Sequence, residues 1–250
     1  MKRLIIAALL LTGCNAQITI KDDEDIDVDA VEVLLVSDHT LPGHLNIASG
    51  GAQGKERLYI DPTLKRLAEL FTSRGVTNKI INVEDFAPDN DIQDKETFDA
   101  AYARYDEVLK AGVENKSTIL SVHYDANFLY DENDPTLITY TGGAQIILDE
   151  RAVSDSTREL ANSLIMDFKL LEALNQTGLR IRPDYDDEIR YQSNLTLNII
   201  GHSHGGGLLL EIGAQEQAIE LFGTPEQIVQ AIDTPLNVLV DGVIDHRNNL

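Results

Sequence analysis

The sequence predicts a single α/β domain, with a largely parallel or mixed central sheet of about six strands flanked by helices. Three observations lead there. The chain has 250 residues with 43% apolar and 25% charged content, enough to bury one sizeable core. From residue 31 onward, short β-rich runs alternate with stretches of helical period, the pattern of a sheet whose strands are joined by helical crossovers. That stretch holds no internal repeat and no low-complexity linker, so nothing divides it into two domains.

The runs that predict strands are Val31–Ser37, Lys79–Val83, Thr118–His123, Gln145–Leu148, Leu195–Ile200 and Leu208–Ile212. Asp61-Pro62 predicts the first helix, an N-cap followed by proline at the first helical position. Leu64, Leu67, Leu70 and Phe71 share one face of it, and Gly75 ends it. A second helix is expected from about Phe98 to Lys110, with Ala101, Tyr105, Val108 and Leu109 as its apolar stripe. A third is expected from Ser156 to about Leu174, on Leu160, Leu164, Phe168 and Leu171. Thr224-Pro225 opens a fourth by the same capping logic.

The N-terminus carries a different signal. Lys2 and Arg3 precede an apolar run from Leu4 to Leu11, which has the length of a signal-peptide core and is too short to span a bilayer. Leu11-Thr12-Gly13-Cys14 follows at once and resembles the lipobox of bacterial lipoproteins. The resemblance implies removal of residues 1–13 and lipidation of Cys14, so that acyl chains hold the protein at a membrane of the bacterial cell envelope. Asn15 stands where an inner-membrane retention signal has aspartate, which implies the outer membrane or the cell surface. Residues 14–30 include Asp22, Asp23, Glu24, Asp25, Asp27 and Asp29, a self-repelling stretch read as a tether to a domain over 31–250.

Composition narrows the chemistry. Acidic residues outnumber basic ones 42 to 20 for a net charge of −22, which disfavours nucleic acid as a partner. The lone cysteine, Cys14, excludes an intramolecular disulfide framework and a multi-cysteine zinc cluster, leaving any metal to imidazole and carboxylate ligands.

In open α/β sheets, functional groups gather at the carboxyl ends of strands. His123 closes the Thr118 strand, with Ile119 and Ser121 on its own face, Leu120 and Val122 on the other, and Asp125 and Asn127 just behind. His39 and His44 follow the first strand, and Glu56 precedes the Asp61 helix. Glu211 is an acid inside the apolar run Leu208–Ile212, a placement that is costly unless the carboxylate is paired or engaged. Two imidazoles, one carboxylate ligand and a further carboxylate are what a hydrolytic zinc site needs, because three protein ligands leave a position for water and the second acid takes its proton.

The order of these residues resembles that of zinc-dependent N-acetylmuramoyl-L-alanine amidases, the cell-wall amidases that include a sporulation-protein branch. Pro42-Gly43-His44 is similar to the family's Pro-Gly-His loop, and Gly51-Ala52 and Lys55-Glu56 to the elements after it. Ser121-Val122-His123-Tyr124-Asp125-Ala126 resembles the Ser-x-His-x-Asn-Ala element, with aspartate for asparagine. Gly142-Gly143 leading into Ala144–Leu148, Ser154-Asp155-Ser156 and Leu209-Leu210-Glu211-Ile212-Gly213 resemble the later elements. The resemblance implies Zn2+ held by His44, Glu56 and His123, with Glu211 as the catalytic acid–base and peptidoglycan as the substrate. Leu45-Asn46 stand where the family has two glycines, and His39 competes with His44 for the first ligand position.

A second motif points elsewhere. Gly201-His202-Ser203-His204-Gly205 matches G-x-S-x-G, the nucleophile elbow of serine esterases and lipases, and follows the apolar run at Leu195–Ile200. Its remaining triad partners would be Asp233, Asp241 or Asp245 with His246, and little chain follows Ser203 to bring them to the sheet. In the amidase reading, His202 and His204 line the site or stabilise the oxyanion, or do no more than cap a turn beside Gly205-Gly206-Gly207. A third class is a non-catalytic, wall-binding lipoprotein.

Overall fold

The computed structural model describes residues 28–39, 56–125, 128–130, 133–134, 138–151, 153–182 and 189–250. The leader, Cys14, most of the acidic stretch and His44 lie outside the described residues. Packing has already begun at Val28, which is buried in the same apolar cluster as Val36 and Ile81.

The chain enters the sheet at β1 (Val33–Ser37), crosses through α1 (Glu56–Ser73) to β2 (Asn78–Asn82), and passes two short 3-10 turns to α2 (Lys95–Glu114) and β3 (Thr118–Asp125). A small antiparallel pair, β4 (Phe128–Tyr130) and β5 (Ile138–Tyr140), precedes β6 (Gln145–Asp149). Then come α3 (Asp155–Met166), α4 (Leu170–Gln176), β7 (Ile189–Gln192), α5 (Leu195–Ile200) and β8 (Gly207–Ala214). The chain closes with α6 (Gln215–Phe222), α7 (Pro225–Ala231) and α8 (Asp233–Asn248). The six-stranded sheet has the order β2-β1-β3-β8-β6-β7. All neighbours are parallel except β6 and β8, which run antiparallel, so the sheet is mixed as the sequence predicts.

Alternation along the strands divides the core in two. Val33, Leu35, Leu120, Val122, Leu208, Leu210 and Ile212 join α1, α3, α4, α7 and α8 in the larger cluster. Leu34, Val36, Ile119, Ile147 and Leu209 face the opposite way, onto Ala101, Tyr105 and Leu109 of α2 and Leu197 and Ile200 of α5. Long helices α1 and α8 are also tied by polar contacts: Arg66 Nε donates to Asp233 Oδ1 at 2.7 Å, and Arg74 reaches Asp241 and Asn237 at 2.9 and 2.8 Å. No helix among the described residues is long and apolar enough to cross a membrane.

Three predicted elements differ, and one strand of the main sheet was not predicted. Residues Leu195–Ile200 form a helix rather than a strand. Asn194 caps it by accepting from the Leu197 N–H, and the buried positions Thr196, Leu197 and Ile200 follow helical spacing while Leu195 is 55% exposed. The sixth strand is instead Ile189–Gln192, an edge strand whose partly exposed sequence Ile-Arg-Tyr-Gln carries no apolar run. Helix α1 already includes Glu56, with Pro62 inside it, and Asp61 pairs with Arg57 one turn earlier instead of capping. The helix expected from Ser156 to Leu174 is two, broken before Lys169, whose φ of 53° is left-handed; the break turns Leu170, Leu171 and Leu174 into the core.

The helical assignment of α5 makes an asymmetric prediction. Leu197→Ala is expected to cost about 2–5 kcal/mol in denaturant unfolding, and Leu195→Ala to stay within about 0.5 kcal/mol. Equal costs would mean that the two residues share one strand face.

Candidate functional site

Strands β1, β3 and β8 are parallel neighbours, so residues closing them meet at one edge of the sheet. Asp38 and His39 leave β1 at that edge. His123 lies near the end of β3, and its Cα is paired in register with that of Glu211 on β8. The register then shifts between His123 and Asp125. The antiparallel strand β6 starts here as well, placing Gln145 opposite Glu211. Glu56, at the start of α1, completes the group from above the sheet.

These side chains touch one another. Glu56 is 3% exposed, and its Oε1 accepts the Tyr124 backbone N–H at 2.9 Å and lies 3.2 Å from His123 Nδ1. Its Oε2 is 3.5 Å from His39 Nδ1. The two imidazoles meet edge to face with ring centroids 4.6 Å apart. On their far side, Asp38 Oδ1 lies 3.6 Å from both His39 Nε2 and His123 Nε2, while Ser121 Oγ is 2.9 Å from His123 Nε2. Asp38 is held in turn: its Oδ2 accepts from the Tyr102 hydroxyl of α2 at 3.0 Å and the Thr196 hydroxyl of α5 at 3.1 Å. Donor atoms of Asp38, His39 and His123 all lie within 4.8 Å of one another.

Beside Glu211 sits a second buried assembly. Asp125 Oδ2 accepts from Arg182 Nη1 at 3.0 Å, from the Gly143 N–H at 3.1 Å and from Gln145 Nε2 at 3.3 Å. Glu211 Oε2, by contrast, is shielded from solvent with no hydrogen-bond partner among the described residues.

The crowding of charge sets the proton affinities. Burial pushes the Glu211 carboxyl up to about 8; the Glu56 and Asp125 carboxylates add to the rise, and His123 and Arg182 oppose it. Burial alone would lower the imidazole of His123, but the hydrogen bond to Glu56 and the charges of Asp38, Glu56 and Glu211 overcome it and raise it to about 9. His39 is lowered, by burial first and then by the neighbouring His123. Burial would raise Asp38, but His123, His39 and the two hydroxyl donors outweigh it and hold Asp38 below the usual carboxylate range.

Of the residues singled out in the sequence, His39, Glu56 and His123 come together, and Glu211 stands one strand away from His123. His44 and Cys14 lie outside the described residues. Sequence reasoning passed over Asp38, although it closes β1 and directly precedes His39, the same strand-end signal that marked His123. It also passed over Tyr102 and Thr196, which carry no motif and are brought in by the packing of α2 and α5.

The G-x-S-x-G segment sits at the other end of β8. It follows helix α5, not a strand, and precedes the first residue of β8. Ser203 is fully buried; its Oγ donates to the Ser117 carbonyl at 2.6 Å and accepts the Gly205 N–H at 3.1 Å. The following glycines are steric necessities: Gly206 has φ 86°, and a Cβ on Gly207 would lie 1.9 Å from the Ile200 carbonyl oxygen. The remaining triad candidates are engaged elsewhere, His246 Nε2 with Ser156 Oγ at 2.9 Å and Asp233 and Asp241 with Arg66 and Arg74. His202 and His204 are exposed on this turn, remote in the chain direction from Glu211, so they do not line the site. The serine-nucleophile reading is therefore overturned: the motif is a buried turn that docks β8 against the start of β3.

No protein-family model and no curated protein sequence matches the chain. Solved structures do. The apo form of the N-acetylmuramyl-L-alanine amidase Ami1 from Mycobacterium abscessus superposes over 87% of this chain and 99% of its own, with a TM-score of 0.54 at 14% identity. Ami1 from Mycobacterium smegmatis covers 89% and 99%, with a TM-score of 0.55 at 13% identity. The CwlD amidase from Clostridioides difficile, solved in complex with the GerS lipoprotein, covers 86% and 98%, with a TM-score of 0.50 at 12% identity. At such identities the likeness is one of fold: this chain shares the single-domain α/β architecture of those amidases.

Proposed function

We propose that this protein is a zinc-dependent amidase of the N-acetylmuramoyl-L-alanine type, cleaving an amide bond of peptidoglycan at the bacterial cell envelope, where a lipid on Cys14 anchors it. The observation that carries the reading is the convergence of His39, Glu56 and His123 from three separate elements, with Glu211 beside them. Likeness of fold to peptidoglycan amidases supports the same reading. The donor set suits zinc, which takes imidazole and carboxylate ligands, and His39 takes the first ligand position for which His44 was the other candidate. When bound, the ion supplies a Lewis acid that polarises a carbonyl and makes water a nucleophile near neutral pH.

The chain's own residues would do the rest. Glu56 is fixed through Oε1 by the Tyr124 N–H and keeps a carboxylate in contact with both imidazoles. Glu211 has a shielded oxygen without a hydrogen-bond partner among the described residues and a raised proton affinity, suited to accepting a proton from the attacking water and returning it to the leaving amine. The Arg182–Asp125 pair at its side neutralises a neighbouring carboxylate and so limits the repulsion that Glu211 meets. A lipid anchor suits an insoluble wall polymer, which has to be met where it lies.

Four measurements test this. The purified chain is expected to bind stoichiometric zinc and to release the stem peptide from muramic acid in a chelator-sensitive way; bound zinc without hydrolysis would favour a wall-binding protein. His39→Ala is expected to lose the metal while His44→Ala keeps it, read by elemental analysis, and the reverse pattern would return the ligand role to His44. Glu211→Gln is expected to retain zinc while turnover falls about 10²–10⁴-fold; undiminished turnover would remove Glu211 from the chemistry. A fluorophosphonate probe is expected to leave the folded chain unlabelled at Ser203, and stoichiometric labelling there would reinstate the serine hydrolase.

A further inference from the structure

We propose that Gln145 receives the scissile amide of the substrate: its side-chain carbonyl accepts the amide N–H and so turns the nitrogen toward Glu211. The inference rests on the amidase reading above and adds to that site a neutral side chain with a part in choosing the bond that is cut.

His123, Glu211 and Gln145 form one row across three adjacent strands. The Cα of Glu211 is in register with that of His123 on β3 and with that of Gln145 on β6. Residues directly opposite one another put their side chains on the same face of a sheet. That face is the one away from the larger apolar cluster, because the flanking residues Val122, Leu210 and Ile146 all belong to that cluster. Behind Glu211 and Gln145 on the same face come Leu209 and Ile147, again in register and both buried, so the two polar side chains stand at the last turn of an apolar floor.

One end of the Gln145 side chain is committed. Its Nε2 donates to Asp125 Oδ2 at 3.3 Å, and that oxygen is fixed in turn by Arg182 Nη1 at 3.0 Å and the Gly143 N–H at 3.1 Å. A carboxylate paired with a guanidinium only accepts, so flipping the Gln145 amide would set oxygen against oxygen. Its Oε1 is therefore left as an acceptor. Gln145 is 4% exposed, and Oε1 is shielded from solvent with no hydrogen-bond partner among the described residues. Buried carbonyl groups are seldom left in that condition. Glu211 Oε2, on the adjoining strand, shares it. Two neighbouring acceptors, one neutral and one acidic, thus stand side by side at the edge where the histidines gather.

A secondary amide offers one N–H to such a pair. Its hydrolysis joins the water oxygen to the carbonyl carbon, breaks the C–N bond and leaves the nitrogen with one more hydrogen. The proton that Glu211 takes from the water is the one that the nitrogen receives. A planar amide nitrogen has no lone pair to protonate until the carbonyl carbon becomes tetrahedral, and the direction of its N–H then decides where the lone pair points. Held by Gln145 Oε1, the N–H leaves the lone pair facing Glu211, which orients the proton transfer. An ester has no N–H and leaves Oε1 unpaired, so the site selects the amide.

The test uses the full chain loaded with zinc, a muramoyl peptide, and its depsi analogue, in which oxygen replaces the scissile N–H. Gln145→Met keeps the length of the side chain without its acceptor. This variant is expected to retain stoichiometric zinc, and its kcat/KM for the amide to fall about 10-fold further than its kcat/KM for the ester. A structural role would lower both alike, and equal losses or an unchanged ratio would overturn the inference. A second readout needs no variant to fold: in crystals of the unsubstituted chain holding the released stem peptide, the terminal nitrogen is expected within about 3.2 Å of Gln145 Oε1. A nitrogen bound out of reach of Oε1 would overturn the inference while leaving the amidase reading intact. An unsubstituted, zinc-loaded chain that does not cleave the amide overturns that reading, and this inference with it.

Discussion

Burying a carboxylate costs several kcal/mol unless hydrogen bonds and opposite charge replace the lost water, and Glu56 is buried at the junction of helix and sheet. Its compensation comes from β3: a backbone N–H from Tyr124 and an imidazole from His123. Because one of those partners is main chain, the start of α1 is pinned to the strand itself, not only to a side chain that can rotate away. The His39 contact then draws the end of β1 to the same point. One carboxylate thus sets the relative placement of β1, α1 and β3, and the arrangement of the site follows from it.

The sheet separates two tasks by alternation. The residues between the site positions, Leu120, Val122, Leu210 and Ile212, face the larger apolar cluster and hold the sheet against α1, α3, α4, α7 and α8. The edge gathers Asp38, Glu56, Asp125 and Glu211 near two histidines and Arg182, and burial first, then the neighbouring acids Glu56 and Asp125, raise the Glu211 carboxyl. Such an edge is electrostatically unfavourable by itself, and a bound cation would relieve it. Stability therefore rests on the apolar faces, while the polar edge is arranged for the proposed chemistry.

What could be read from the sequence follows from how local each signal is. Four of the six sheet strands were legible as buried apolar runs, and the edge strand Asn78–Asn82 through its Ile80-Ile81 pair; the other edge strand, Ile189–Gln192, was not, because its apolar residues are separated by Arg190. Leu195–Ile200 was misread because six apolar and small polar residues fit either period, and only the Asn194 cap and the depth of Leu197 and Ile200 decide between them. Glu56, His123 and Glu211 were legible as strand-end or misplaced polar residues. Asp38 carried the same strand-end signal as His123 and was passed over; what the sequence hid is its two hydroxyl partners, Tyr102 and Thr196, contributed by helices far along the chain. Ser203 misled because a five-residue pattern says nothing about which end of a strand it occupies.

Strand β8 lies between β3 and β6 although it is the last strand in the chain. Synthesis from the N-terminus therefore produces both of its neighbours first, each with an unpaired ladder edge open to mispairing. Closing that gap joins distant parts of the chain, a high-contact-order step that slows folding. Since Glu211 travels on the inserted strand, no nascent or truncated chain lacking it has the proton acceptor in place, and competence for the proposed reaction arrives together with completion of the sheet.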